Sequence, residues 1–243
     1  MILRHSDGNV FFVLNCVKQI FMKLFFFSAI ILLMTSFATQ KKTRVIFFGD
    51  SITQAGAGTG GYILRIDTLC QIEGKGDNYE FIGAGIGGNK VYDLYLRMDN
   101  DVLAKEPDVV IIYIGVNDVW HKATSGTGTD LDKFEKFYQA IIDKLKAKKI
   151  KIILCTPAAI GEKTDFSNPQ DGDMNEYSNI IRRIAKNNGL FVVDLRQLFH
   201  EFALKNNPDN KDRGILTTDR VHLNARGNQF VAEEMWKAIK TLN

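Results

Sequence analysis

A serine directly after a short apolar run is the first residue in this chain that could act on a substrate. Gly49-Asp50-Ser51-Ile52-Thr53 follows Arg44–Phe48, and a helical pattern opens soon afterwards at Tyr62. At a strand-to-helix turn, a serine exposes its hydroxyl and sets its own N–H at an emerging helix terminus, where it can stabilise a developing oxyanion. Taken alone, the pentapeptide fits an ordinary serine N-cap equally well. The segment Asp219-Arg220-Val221-His222-Leu223-Asn224 changes that balance. A hydroxyl attacks poorly until a base takes its proton, and histidine is the usual base. The base needs an acceptor on its other ring nitrogen to fix its tautomer. Asp219, three residues before His222, provides one within a single turn of chain. Asp-x-x-His is a common chance pattern, but its place just before the last helical segment gives it weight.

Two glycine-bearing segments supply candidate hydrogen-bond donors. In Gly85-Ile86-Gly87-Gly88-Asn89, glycines let a backbone N–H approach a ligand closely. In Gly115-Val116-Asn117-Asp118, the Asn117 side-chain amide can donate. Turn chemistry explains either segment taken singly. Four such segments in one order, each after an apolar run or before the final helix, exceed coincidence.

Those segments must be carried by something, and the apolar pattern says what. Arg44–Phe48, Tyr79–Ile82, Val109–Ile114, Ile150–Cys155 and Leu190–Val193 read as strands. Val109–Ile114 is almost entirely β-branched, as a central parallel strand covered on both faces should be. Helices are expected over Tyr62–Glu73, Val91–Ala104, Leu131–Lys148, Met174–Asn188, Leu198–Lys205 and Ala225–Leu242. Strands alternating with helices give an α/β domain with a five-stranded parallel sheet. In such sheets the functional residues gather beyond the carboxyl ends of the strands. The segments Val119–Asp130 and Thr156–Asp173 read as long loops at that edge. The second carries Lys163, Asp165, Asn168, Gln170 and Asp171, with Ile160 and Phe166 as its sizeable apolar side chains, so a polar rim is expected there.

The four blocks resemble those of the SGNH hydrolase superfamily, the GDSL-type esterases and lipases: GDSIT with Ser51, GIGGN with Gly88, GVND with Asn117, and DRVH with Asp219 and His222. The first block has Ile52 where the family name has leucine. The resemblance covers Arg44–Leu242. It implies a flavodoxin-like three-layer α/β/α sandwich and a serine ester hydrolase with Ser51, Asp219 and His222 catalytic and no metal or other cofactor. It further implies an oxyanion hole of Ser51 N–H, Gly88 N–H and the Asn117 amide. Gly88 is chosen over Gly87 because it directly precedes Asn89, and Asp118 is taken as a structural buttress.

Competing chemistries were weighed on the same residues. Gly56-x-Gly58-x-x-Gly61 and Gly83-x-Gly85-x-x-Gly88 both match a dinucleotide fingerprint, but neither is followed by an acid at the end of the next strand. Asn89 intervenes before Lys90, so a P-loop fails, and no G-x-S-x-G elbow is present. Neither HExxH nor paired CxxC supports zinc. Asp50, Asp118, Asp219 and His222 remain conceivable ligands for a divalent ion. Trp120 and His121 are placed near the site, whereas Trp236 and His200 read as packing or surface residues. Arg220 and Arg226 flank His222 and are read as local charge balance or as partners for a substrate carboxylate.

Composition excludes other classes. Of the 243 residues 45% are hydrophobic and 24% charged, as in globular domains, and 31 basic against 28 acidic residues give only +3, too small for a nucleic-acid protein. Residues Met22–Gln40 read as a secretory signal: Lys23, an apolar stretch Leu24–Met34, then small residues Ser36 and Ala38 at a cleavage site. This predicts a discarded segment 1–38, with Met22 the true start, one domain over 39–243, and an exported enzyme. After signal cleavage no stable membrane insertion is expected; an uncleaved anchor is the alternative. Cys70 and Cys155 are expected to be buried free thiols. The polar rim and export favour short-chain or O-acetyl esters of carbohydrates or small molecules. A lysophospholipase or thioesterase is the competing enzyme, and a non-catalytic glycan-binding module is the competing class.

Overall fold

The β-branched runs become a sheet because each can be covered on both faces. In the computed structural model, residue 12, residues 17–23 and residues 41–242 are described. The chain divides into two units, Met1–Lys41 and Lys42–Asn243. Within the first, residues 17–23 are helical and exposed, and the apolar stretch and cleavage site of the expected signal lie outside the described residues. Among the described residues no helix is long and apolar enough to cross a membrane.

The second unit is an α/β/α sandwich. Its strands are β1 (Thr43–Gly49), β2 (Tyr79–Gly85), β3 (Val109–Tyr113), β4 (Lys151–Cys155) and β5 (Phe191–Val193), in spatial order β2-β1-β3-β4-β5. Every pairing is parallel. The helices are α1 (Ser51–Gly56), α2 (Tyr62–Ile72), α3 (Val91–Asp101), α4 (Val116–Ser125), α5 (Leu131–Ala147), α6 (Asp171–Asn188), α7 (Leu195–Asn206) and α8 (Ala225–Lys240). α2 packs on α8, while α3 packs on α5 and α5 on α6. Right-handed crossovers put these two groups on opposite faces of the sheet. Val45–Phe48 of β1 and all of β3 are buried, each large apolar side chain contributing roughly 1.5–3 kcal/mol by leaving water.

Strand register lines up the functional edge. Gly49 pairs with Gly85 on one side and Tyr113 on the other, Tyr113 with Cys155, and Cys155 with Val193. One row therefore crosses the sheet, and the chain leaves it at Asp50, Ile86, Ile114, Thr156 and Asp194. The strand order reverses at β1, so Asp50 and Ser51 stand at the topological switch point, where ligands bind in open α/β sheets.

Several boundaries differ from the sequence expectation. β2 runs on to Gly85, and α3 ends at Asp101, followed by a 3₁₀ turn over Leu103–Lys105. α7 starts at Leu195 because Asp194 caps it, accepting from Gln197 N–H at 3.3 Å. The larger correction is Val119–Asp130: most of it is not loop but helix α4, which begins with four buried residues, Val116–Val119, and ends at Gly126. Its later turns, Trp120–Ser125, are polar and half-buried or exposed, so no apolar stripe announces them. Cys70 and Cys155 are both buried and unpaired.

Candidate active site

Ser51 is the first residue of α1, but it does not cap that helix. Asp50 does: its carboxylate accepts Ile52 N–H at 2.9 Å. The Ser51 hydroxyl is thereby left for another partner, which removes the N-cap reading. Ser51 Oγ lies 2.9 Å from His222 Nε2, and His222 Nδ1 lies 2.7 Å from Asp219 Oδ2. The other Asp219 oxygen accepts His222 N–H at 2.8 Å and Val221 N–H at 3.1 Å. Partial burial opposes ionisation of Asp219, but the hydrogen bonds from the His222 ring and these two amides outweigh it and hold its pKa below the usual value. An Nδ1–H donated to Asp219 leaves the Nε2 lone pair facing the serine, the arrangement a general base requires.

The histidine stands on irregular chain. Thr217 and Leu223 form an antiparallel bridge, and Thr218 N–H donates to His222 O at 2.8 Å, closing a loop with Asp219–His222 at its tip. Arg220 takes a left-handed φ of 86° in that loop. Beneath it, the buried carboxylate of Glu162 accepts three backbone N–H groups, from Ile215, Leu216 and Thr217, at 2.8, 2.6 and 2.8 Å. Gly161 N–H adds a bond to Arg220 O at 2.9 Å. Nothing in the spacing around Glu162 distinguishes it from a surface acid, so no sequence signal marks it.

The second glycine segment closes on Ser51. A Cβ built on Gly85 would stand 2.1 Å from Gln54 N, so only glycine lets β2 meet α1 this closely. Each polar group of the next residues is then assigned. Gly87 N–H donates to Gln54 Oε1 at 2.9 Å, Asn89 N–H to Ile86 O at 3.3 Å, and Lys90 Nζ to Gly88 O at 3.1 Å. Asn117 Nδ2 donates to Asn89 O at 3.1 Å, which engages one of its two amide hydrogens. Gly88 N–H has no acceptor among the described residues. Gly88 itself has a φ of +75°, a conformation that favours glycine. Gly88, rather than Gly87, is therefore the residue with a donor to offer.

Two buried carboxyls flank the site. Asp50 and Asp118 are 1% and 0% exposed, and burial above all pushes each carboxyl up to about 7. Asp118 accepts Val91 N–H at 3.2 Å and so ties the start of α3 to α4. Trp120 sits edge-on to His222, with ring centroids 6.5 Å apart, and a Cβ built on Gly88 would lie 3.7 Å from the His121 ring. Burial, and secondarily Lys90, lowers the pKa of His121 and favours its neutral form. Trp236 is buried in α8 and donates to Glu73 at 2.9 Å. Arg226 lies over the Phe202 ring. Among the described residues no three His, Cys, Asp or Glu side chains converge as a metal site.

The long loop Thr156–Asp173 is braced largely from within. Its polar side chains mostly bond within the protein: Asp165 to Ser167 and Asn210, Asn168 to Lys163 and Asp171, Asp171 to Arg196. Ile160 is buried and Phe166 is exposed. The loop lines a pocket with Arg196 and His200, and none of the five predicted site residues is among its lining.

Comparison with known proteins gives a consistent set. Residues 47–230 match the GDSL-like lipase/acylhydrolase family. A crystal structure of an acetyl xylan esterase, AlAXEase, is 66% identical, with a TM-score of 0.80, covering 81% of this chain and 99% of that one. The acetylxylan esterase of Geobacillus stearothermophilus is 30% identical over 81% of this chain and 93% of its own length. Its crystal structure superposes with a TM-score of 0.71, and two crystallised catalytic mutants of it carry a serine-to-alanine and a histidine-to-alanine change. A human isoamyl acetate-hydrolyzing esterase 1 homolog is 25% identical over 81% of each chain.

Proposed function

The chain belongs to the GDSL-like lipase/acylhydrolase family and is a carboxylic ester hydrolase, and on that premise we propose that it is an exported carbohydrate acetyl esterase working through Ser51, His222 and Asp219. The observation that carries the reading is the linear relay from Ser51 Oγ to His222 Nε2 at 2.9 Å and from His222 Nδ1 to Asp219 at 2.7 Å, beside an unengaged Gly88 N–H. The substrate class is supported by the relatives, two of which are named for acetylated xylan and one for an acetate ester.

The steps follow from the geometry. His222 Nε2 takes the Ser51 proton as Oγ attacks the acetyl carbonyl, and Asp219 stabilises the imidazolium that results. The carbonyl oxygen becomes an oxyanion, held by Ser51 N–H, Gly88 N–H and the second hydrogen of the Asn117 amide. His222 then protonates the departing sugar hydroxyl as the C–O bond breaks, leaving acetyl-Ser51. Water, deprotonated by His222, attacks that ester; the tetrahedral species collapses to acetate and Ser51 recovers its proton. None of these steps requires a metal. Export is supported by the signal-like sequence Met22–Gln40, with cleavage near Ala38 releasing a single domain over 39–243. Amino-terminal sequencing of the native protein should begin at Thr39; a start upstream of Lys23 would overturn cleavage.

The test is hydrolysis of p-nitrophenyl esters from acetate to palmitate and of acetylated xylooligosaccharides, by the parent protein and by Ser51→Ala. Activity concentrated on acetate and on the acetylated sugar, and lost in the variant, is the expected result. A maximum at eight carbons or beyond would replace the sugar reading with a lipid or thioester substrate. Binding of xylooligosaccharide without turnover would leave a glycan-binding module.

A further inference from the structure

Arg97 lies outside every motif, in the second turn of α3, yet its guanidinium reaches both blocks that frame the site. Nη2 donates to Gly49 O at 2.7 Å and to Ala84 O at 3.0 Å, the carbonyls at the ends of β1 and β2. Nε donates to Asn89 Oδ1 at 2.7 Å, and Nη1 to Asp101 at 2.7 Å. The guanidinium stacks 4.6 Å above the Phe48 ring, and the side chain is 15% exposed. Only the Asp101 pair is the ordinary salt bridge of a helix surface. The other bonds end close to the proposed reacting groups: Gly49 is two residues from Ser51, and Asn89 adjoins Gly88. Gly49 O also accepts Ile86 N–H at 3.3 Å, so this carbonyl is the joint where the Ser51 turn and the glycine loop meet.

We propose that Arg97 is the positioning residue of the oxyanion hole, setting the Gly88–Asn89 peptide at a fixed distance from the Ser51 turn. The inference rests on the reading of Ser51, Gly88 and Asn117 given above. A planar fork of five N–H donors can meet two carbonyls, an amide oxygen and a carboxylate at once, which the ammonium of a lysine cannot. Asn89 transmits the restraint in two directions. Its side chain is held by Arg97 and its carbonyl by Asn117, so the two contacts fix the residue that directly follows Gly88. Loss of Arg97 leaves Ser51, His222 and Asp219 in contact and lets the Gly88 donor drift.

The experiment measures kcat, KM and thermal unfolding for Arg97→Lys, Asn89→Ala and the double variant Arg97→Lys/Asn89→Ala in the full chain, with p-nitrophenyl acetate. Displacement of a donor by an ångström costs on the order of 10²-fold, so Arg97→Lys is expected to lower kcat by about 10- to 100-fold. KM should stay within about threefold, because ground-state binding is untouched. Asn89→Ala cuts the same link without disturbing the two strand-end carbonyls, and it should reproduce the kcat loss even where Arg97→Lys fails to fold. The double variant should be no slower than Asn89→Ala alone, since contacts acting through one link are non-additive. Overturning results are a kcat within about twofold of the parent in Asn89→Ala, or single effects that multiply in the double variant. Full activity in Ser51→Ala would instead remove the serine reading itself, a separate outcome.

Discussion

The two halves of the Ser51–His222 pair are held by different physics. Ser51 is placed by the sheet: β1 lies between β2 and β3, its residues Val45–Phe48 are buried, and register fixes where the chain leaves the row at Gly49. His222 is placed by a loop with no strand or helix of its own, anchored by three amides on one buried carboxylate, Glu162. The nucleophile therefore inherits the rigidity of the core, whereas the base depends on a handful of polar contacts. Core-like placement is hard to disturb by one substitution; placement by a single anion is easy to disturb.

The largest effect should not discriminate between the halves. Ser51→Ala and His222→Ala are each expected to lower kcat by at least about 10⁴-fold with the fold intact, because the relay acts as a unit. Circular dichroism with steady-state kinetics checks this; a residual rate within tenfold of the parent for either would break the comparison at its root. Next comes Asn117→Ala, expected to cost about 10²–10³ in kcat if its amide meets the oxyanion. An unchanged rate would remove it from that role and confine it to bracing Asn89.

Glu162 sharpens the comparison. Glu162→Ala leaves three N–H groups without their acceptor, the two buried ones at roughly 1–3 kcal/mol each, and should lower both stability and kcat. Glu162→Gln keeps one acceptor oxygen and should recover part of both. Urea unfolding alongside kinetics reads the two separately. Full activity in Glu162→Ala would mean that the His222 loop stands without its anchor.

The smallest effect concerns pH. Burial raises the Asp50 carboxyl from 3.8 to about 7 in the fold, so the folded protein binds its proton more tightly than the unfolded chain. Asp50 therefore contributes its stability in full below the unfolded pKa and loses it as pH rises toward 7. Asp118, raised in the same way, adds to the trend. Unfolding free energy measured from pH 4 to 7 should fall in the parent and fall less in Asp50→Asn, which retains a good helix cap. Parallel curves would show that Asp50 does not titrate in this range.

Sequence made the first half of the site legible and the second half only by motif. The Ser51, Gly88 and Asn117 segments each follow a strand whose apolar run is plain, so their common edge could be deduced from topology before any distance was known. The five strands and the long helices were visible for the same reason: burial on a regular period leaves a pattern. Helix α4 was missed because its later turns are polar, and its N-terminal residues are buried by the site rather than by a stripe. Arg97 and Glu162 were missed because their roles lie in contacts across the fold, with Gly49 and Asn89 for one and with Ile215–Thr217 for the other. Arg97 pairs with Asp101 at helical spacing and looks like an ordinary surface residue. The Thr156–Asp173 loop was legible only as polar: many of its polar residues serve one another, and composition does not record a partner.

The central claim is that Ser51 is the nucleophile, and the most direct measurement is covalent. The protein should be incubated with a fluorophosphonate while activity on p-nitrophenyl acetate is followed, and the labelled peptide then sequenced by mass spectrometry. The account predicts one label per chain, on Ser51, with activity lost in step with labelling and no label in Ser51→Ala. Full labelling of Ser51 with activity retained, or inactivation with the label on another residue, would contradict it.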